Sequence, residues 1–124
     1  MTWDLTIEQK DKFLELMHDM GAHSMFYLND MTKRLSECGI PVTEDSENDC
    51  LLIDGVKVHL AEPEWGKAGI YPPHVLSVVI KHFGFEITSE MTGIGFRFND
   101  RLQQLASHWG LDKTYIYGIK WIIF

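Results

Sequence analysis

Asp54 and Gly55 stand between an apolar run, residues 51–53, and an alternating one, residues 56–60, and this arrangement constrains the fold more than any other stretch. An Asp-Gly pair accepts the positive backbone angles of a two-residue turn, so the flanking runs are predicted to pair as an antiparallel hairpin.

Helical signals precede it. Thr6 and Gln9 have the spacing of a capping box, and Phe13, Leu14, Met17 and Met20 follow at helical intervals until Gly21 offers a stop. Residues 23–38 repeat the pattern, with Phe26, Leu28, Met31, Leu35 and Cys38 inward, Asn29, Asp30, Lys33, Arg34 and Glu37 outward, and Gly39 and Pro41 closing the segment. These two segments are expected as an antiparallel pair or as one helix bent at Gly21. Residues 43–49 hold four carboxylates and no apolar side chain, which predicts a solvated loop.

After the hairpin, a turn-rich run over 62–69 leads to Pro72 and Pro73, the second of which fits a first helical position. A third helix is predicted over 73–83. Val75, Leu76, Val78, Val79, Ile80 and Phe83 make it apolar on most sides, as suits a helix crossing the middle of a domain. Residues 85–88 and 94–98 read as two strands joined by a polar turn. Asn99 reads as the N-cap of a fourth helix carrying Leu102, Leu105, Ala106 and Trp109 on one face, and the segment from Thr114 onward as a last strand. The resulting order, ααββαββαβ, is that of a single α+β domain over residues 1–124 with a mostly antiparallel sheet. A length of 124 residues is ordinary for one such domain.

A hydrophobic fraction of 45% is too high for a disordered chain. The densest apolar runs, at 78–80 and 122–124, fall far short of the roughly 18 residues that a membrane span requires. No basic N-terminus precedes an apolar stretch, so a secretory signal is not expected and a cytoplasmic location is. Cys38 and Cys50 lack CxxC spacing and are expected as separate reduced thiols, Cys38 as a small core residue.

Catalytic signatures are missing from the sequence. Of the six histidines, His18 and His23 straddle Gly21, and His74 and His82 are two helical turns apart. Neither pair has the three- or four-residue spacing that brings two imidazoles to one metal, and HisGluxxHis does not occur. There is no GxSxG elbow or P-loop, and the GlyIleGly at 93–95 is only a fragment of a phosphate-binding loop. Convergence of His18, His59, His74, His82 or His108 in one pocket would revive an enzymatic reading. Without it, no enzyme activity, metal or cofactor is expected.

Charge is distributed unevenly. Residues 1–64 carry fourteen Asp and Glu against five Lys and Arg, while residues 65–124 carry four against six. An acidic surface steers encounter with a basic partner and rejects like-charged competitors. The residues that would form it are Glu8, Asp11, Glu15 and Asp19 on the first helical segment, Asp30 on the second, and Glu44, Asp45, Glu47 and Asp49 in the acidic loop. Trp3, Tyr27 and Trp65 supply the aromatic side chains common at interface hot spots. In size, charge and lack of catalytic signatures the chain is similar to small acidic phage-borne anti-defence proteins, anti-CRISPR proteins among them, and to toxin immunity proteins. That analogy implies a non-enzymatic inhibitor occupying the basic surface of a nucleic-acid-handling partner.

Residues 102–120 resemble a helix-turn-helix and suggest an alternative, a DNA-binding regulator. Ala106 would be the close-contact alanine, Gly110 the turn glycine, Leu111 the apolar plug, and Ile116 and Ile119 the inner face of a recognition helix. Lys113, Thr114, Tyr115 and Tyr117 would then meet the major groove. The β-branched and aromatic composition of 115–124 favours a helix–turn–strand instead, and Arg97, Arg101, Lys113 and Lys120 are few cations for neutralising phosphate.

Overall fold

A computed structural model of the chain describes residues 3–45, 47–61, 69–87 and 92–111. In chain order the elements are α1 (Ile7–Met20), α2 (Leu28–Glu37), β1 (Val42–Asp45), β2 (Cys50–Ile53), β3 (Val56–His59), α3 (Pro72–Phe83) and α4 (Ile94–His108). The predicted hairpin forms. Asp54 and Gly55 have φ of 49° and 82°, and Ile53 faces Val56 and Cys50 faces His59 across an antiparallel pair.

The fold is α+β, with the three strands of the described residues in the order β1-β2-β3. The acidic segment 43–49 is not wholly loop, as its composition suggested: its first three residues extend Val42 into an edge strand, with Val42 opposite Ile53 and Asp45 opposite Cys50. Leu51 and Ile53 are fully buried, so β2 needs backbone partners on both sides. A partner strand exposed along its outer edge is best made of charged residues, which discourage pairing with another chain. The rest of the segment turns through Asn48, whose backbone and side-chain N–H groups donate to the Asp45 carboxylate at 3.3 and 2.7 Å.

α1 begins where the capping box placed it. Gln9 N donates to Thr6 Oγ1 at 3.1 Å, and Thr6 N donates to Gln9 Oε1 at 2.9 Å, satisfying two of the donors a helix start leaves open. α1 and α2 are separate helices, and α2 starts at Leu28 rather than at 23. Residues just before it are held extended because Phe26 and Ile70 exchange backbone hydrogen bonds of 3.0 and 2.7 Å. This tertiary pairing overrides a helical periodicity that was real only from Leu28 onward.

α3 has Pro72 and Pro73 in its first turn and buries Val75, Leu76, Val79 and Ile80 while touching α1, α4 and β3. It is not enclosed on most sides as its composition suggested: His74, Ser77 and Lys81 form an exposed stripe along it. α4 corrects two expectations: residues 94–98 are helix rather than strand, and Asn99 lies inside that helix with its Nδ2 donating to Gly95 O at 2.9 Å. Ile94, Phe96 and Phe98 alternate like a strand. Only Phe98 is buried, however, and it joins Gly95, Leu102, Leu105 and Ala106 at helical spacing. Residues 85–87 form no strand. Phe85 stacks instead on His108, with ring centroids 4.4 Å apart. The strand expected from Thr114 lies outside the described residues.

One apolar cluster joins all four helices to the inner face of the sheet, with Phe13, Met17, Met31, Leu35, Leu51, Val75 and Leu102 among its fully buried members. Among the described residues no polar or charged residue is buried. Cys38 and Cys50 are both buried and unpaired.

Candidate functional site

The carboxylates Glu8, Asp11, Glu15 and Asp19 fall at three- and four-residue intervals on α1, opposite Phe13, Leu14, Met17 and Met20, which are buried. That spacing makes one stripe about 16 Å long, since a helix rises about 1.5 Å per residue. At its C-terminal end the stripe forms one wall of a groove of about 410 Å³ between α1 and α2, lined by Glu15, Asp19, Asp30 and Glu37 and also by Lys12, Lys33 and Arg34.

The groove is therefore acidic but not uniformly so. Arg34 Nε contacts Asp30 Oδ1 at 3.2 Å, one helical turn away, and its guanidinium lies 5.3 Å from the Phe26 ring centre. Lys12 Nζ is 4.0 Å from Glu37 Oε2 and ties α1 to α2. Both pairs are solvent-exposed, so each contributes no more than about 1 kcal/mol and is screened by salt. The Cys38 thiol at the groove floor is pushed up to about 11, chiefly by burial, with Lys12 opposing weakly. At neutral pH it is a thiol and not a nucleophile.

Glu44 and Asp45 project from β1, and Glu47 and Asp49 from the turn after it. Their side chains are exposed except Asp45, which is partly covered. Hydrogen bonds from the Asn48 side chain, and less from backbone N–H groups, hold the Asp45 carboxyl below the usual carboxylate range. Since β1 packs against α2 and α2 against α1, the three acidic segments occupy consecutive neighbours in the fold. Trp65, Lys113, Thr114, Tyr115 and Tyr117 lie outside the described residues.

A second cluster escaped the sequence reading. Trp3 Nε1 donates to Asp54 Oδ2 at 3.1 Å, the Trp3 backbone N donates to His82 Nε2 at 3.3 Å, and His82 Nδ1 lies 3.9 Å from the same Asp54 oxygen. An Nε2 that accepts leaves the proton on Nδ1, facing the carboxylate. Trp3, Asp54 and His82 border a cleft of about 260 Å³ with Ile53, Val56, Val78 and Lys81. His18 is instead beside Asp19 at 4.0 Å, His74 beside Tyr71, and His108 against Phe85. Among the described residues no group of three or more potential metal ligands converges. The positive φ that an Asp-Gly turn imposes on Asp54 was legible, but nothing local points across 51 residues to Trp3.

No helix among the described residues is long and apolar enough to cross a membrane. Comparison of the chain with protein-family models, with curated proteins and with solved structures finds no match in any of the three.

Proposed function

We propose that this chain is a non-enzymatic acidic module that binds a basic protein and inhibits it by occupying Lys and Arg side chains meant for nucleic-acid phosphate. The observation that carries this reading is the α1 stripe of Glu8, Asp11, Glu15 and Asp19, which continues into Asp30 on α2 and lies in the same part of the fold as Glu44, Asp45, Glu47 and Asp49. Carboxylates spaced along a rigid helix offer a basic groove a row of anions without the flexibility of a loop. Inhibition is then competition, as in small acidic anti-defence and toxin immunity proteins. Complementary charge also speeds encounter and makes affinity depend on salt.

Affinity capture from source-cell or host-cell lysate, with and without nuclease and across a salt series, tests the proposal. A basic protein that survives nuclease treatment and elutes as salt rises supports it, and loss of that protein's nucleic-acid binding on addition of the chain completes the case. Recovery of DNA, or of proteins that disappear with nuclease, counts against it.

DNA binding through residues 102–120 is the second reading, favoured by one local observation. Ala106 is fully buried, Gly110 has φ of 72°, and Leu111 N donates to Ala106 O at 3.0 Å, the tight helix ending that a helix-turn-helix requires. Replacing Lys113 and Tyr115 with Ala abolishes DNA binding under that reading and spares partner inhibition under the first.

A further inference from the structure

The cleft between the first turns of α3 and the first half of α4 differs in chemistry from the acidic face. It encloses about 230 Å³ and is lined by Pro73, Leu76, Ile94, Arg97, Phe98 and Arg101, with no carboxylate in the set. In the groove between α1 and α2, by contrast, Arg34 pairs with Asp30 and Lys12 with Glu37. Among the described residues, neither Arg97 nor Arg101 forms a salt bridge, and Arg101 Nε is shut off from solvent without a hydrogen-bond partner. A guanidinium N–H deprived of water and of an acceptor is costly until an acceptor arrives.

The backbone around the cleft reinforces the charge. Gly93, the N-cap of α4, makes no side-chain cap, and the first turn of that helix holds no acid, so neither the cap nor the first turn offsets the positive end of the helix. Pro72 and Pro73 open α3 and carry no N–H, leaving that wall apolar. Arg97 and Arg101 are one turn apart on α4, so both guanidinium groups can serve one ligand. Leu76, Ile94 and Phe98 give the ligand's other end a greasy surface. The volume lies below the roughly 300–1,000 Å³ of sites for drug-sized ligands.

We infer that this cleft binds a small free carboxylic acid on an apolar body of aryl or short-alkyl size, its carboxylate held by Arg97 and Arg101 and its body by Leu76, Ile94 and Phe98. Planar forked donors suit a carboxylate in two-point contact, and the apolar lining selects against a bare inorganic anion. The site is independent of the acidic face on α1.

Titration of the isotopically labelled full chain by NMR tests the assignment, with benzoate and hexanoate as probes, benzamide as the neutral isostere, and inorganic phosphate as the bare anion. The expected result is saturable shifts of the Arg97 and Arg101 Nε–H resonances and of the amides of 94–98 with benzoate and hexanoate, and none with benzamide. R97Q replaces an exposed side chain and weakens benzoate binding by about tenfold or more. Equal response to benzamide, equal response to phosphate, or unchanged affinity in R97Q overturns the assignment. A pentapeptide ending in Phe that binds tenfold more tightly than benzoate overturns the free-acid occupant in favour of a chain terminus.

Discussion

Trp3 and His82 lie face to face, ring centroids 3.8 Å apart and planes 10° from parallel, although they are 79 positions apart in the chain. Asp54 locks the pair by accepting from the indole of Trp3 and facing the imidazole of His82, so one carboxylate in the hairpin turn fastens the segment leading into α1 to the end of α3. Trp3→Ala removes the stack, an edge contact with Phe83 and a cleft wall, and is expected to cost about 2–3 kcal/mol in urea unfolding. Asp54→Asn keeps a side chain that tolerates the left-handed turn and is expected to cost under about 1 kcal/mol. Asp54→Ala loses both the bond and that tolerance and should cost more. Equal cost for the two Asp54 variants would show that neither the clasp nor the turn preference contributes measurably.

The crossing of Gly69 over Met25 and Phe26 sets a limit on substitution that is independent of backbone angle. A Cβ on Gly69 would stand 2.6 Å from Met25 Cγ and 2.8 Å from the Phe26 carbonyl oxygen. Met25 can move aside, but the carbonyl cannot without breaking the Phe26–Ile70 bridge that holds the chain extended before α2. Gly69→Ala should therefore lower stability by about 1–3 kcal/mol and speed amide exchange at Phe26 and Ile70 ahead of the helices. Unchanged exchange at those two amides would refute the steric account.

Phe96 and Phe98 distinguish helix from strand at the start of α4. In a strand they share a face, whereas in a helix they point about 200° apart. Phe98 is 3% exposed and Phe96 is 44% exposed. Phe98→Ala is expected to cost about 3–5 kcal/mol, and Phe96→Ala less than half of that. Denaturant midpoints of the two variants give the comparison directly, and equal losses would return the segment to a strand.

Much of this fold is written locally. The capping box at Thr6, the Asp-Gly turn and the apolar stripes of α1 and α3 each depend on residues within a turn or two, and the structure contains all of them. What escaped is what long-range pairing decides. Phe26 belongs to a helical stripe in the sequence and to a bridge with Ile70 in the fold. Glu44 and Asp45 look like loop until an apolar β2 demands an edge partner. Ile94, Phe96 and Phe98 fit two periodicities at once, and packing of Gly95 and Phe98 with Leu102 chooses the helix. The acidic candidates were legible as a stripe because helical spacing displays them, whereas their partial neutralisation by Lys12 and Arg34, and the lack of a salt bridge to Arg97 or Arg101 among the described residues, required the assembled helices.

Cys38 supplies a pH-dependent test. Burial raises its thiol from 9.0 to about 11, so the folded state favours the neutral form. The stabilisation is complete below pH 9, where both states hold the proton, and is lost as pH climbs from about 9 to about 11, where the unfolded thiol ionises first. The loss is on the order of 2 kcal/mol, isolated as the difference in urea stability between the native chain and Cys38→Ala across that range. Below pH 9 a thiol reagent should label neither buried cysteine rapidly in the folded chain, and both after denaturation. Rapid native labelling of Cys38 at pH 8 contradicts the assignment.

Neutralising the α1 stripe without altering its shape tests whether charge on this face does the binding. Glu8→Gln, Asp11→Asn, Glu15→Gln and Asp19→Asn together remove four negative charges and leave the buried face of Phe13, Leu14, Met17 and Met20 intact. Exposed ion pairs contribute about 0.2–1 kcal/mol each, so the combined variant should bind the captured basic partner about tenfold to a hundredfold more weakly. Its affinity should also respond less steeply to salt, because fewer charges meet across the interface. Glu86→Gln, an exposed change on the far side of α3 in sequence, controls for net charge alone. If that single change lowers affinity by as much per charge removed as the fourfold variant does, the stripe is not the docking face, and attraction depends on the overall charge of −7 instead of on where the carboxylates stand.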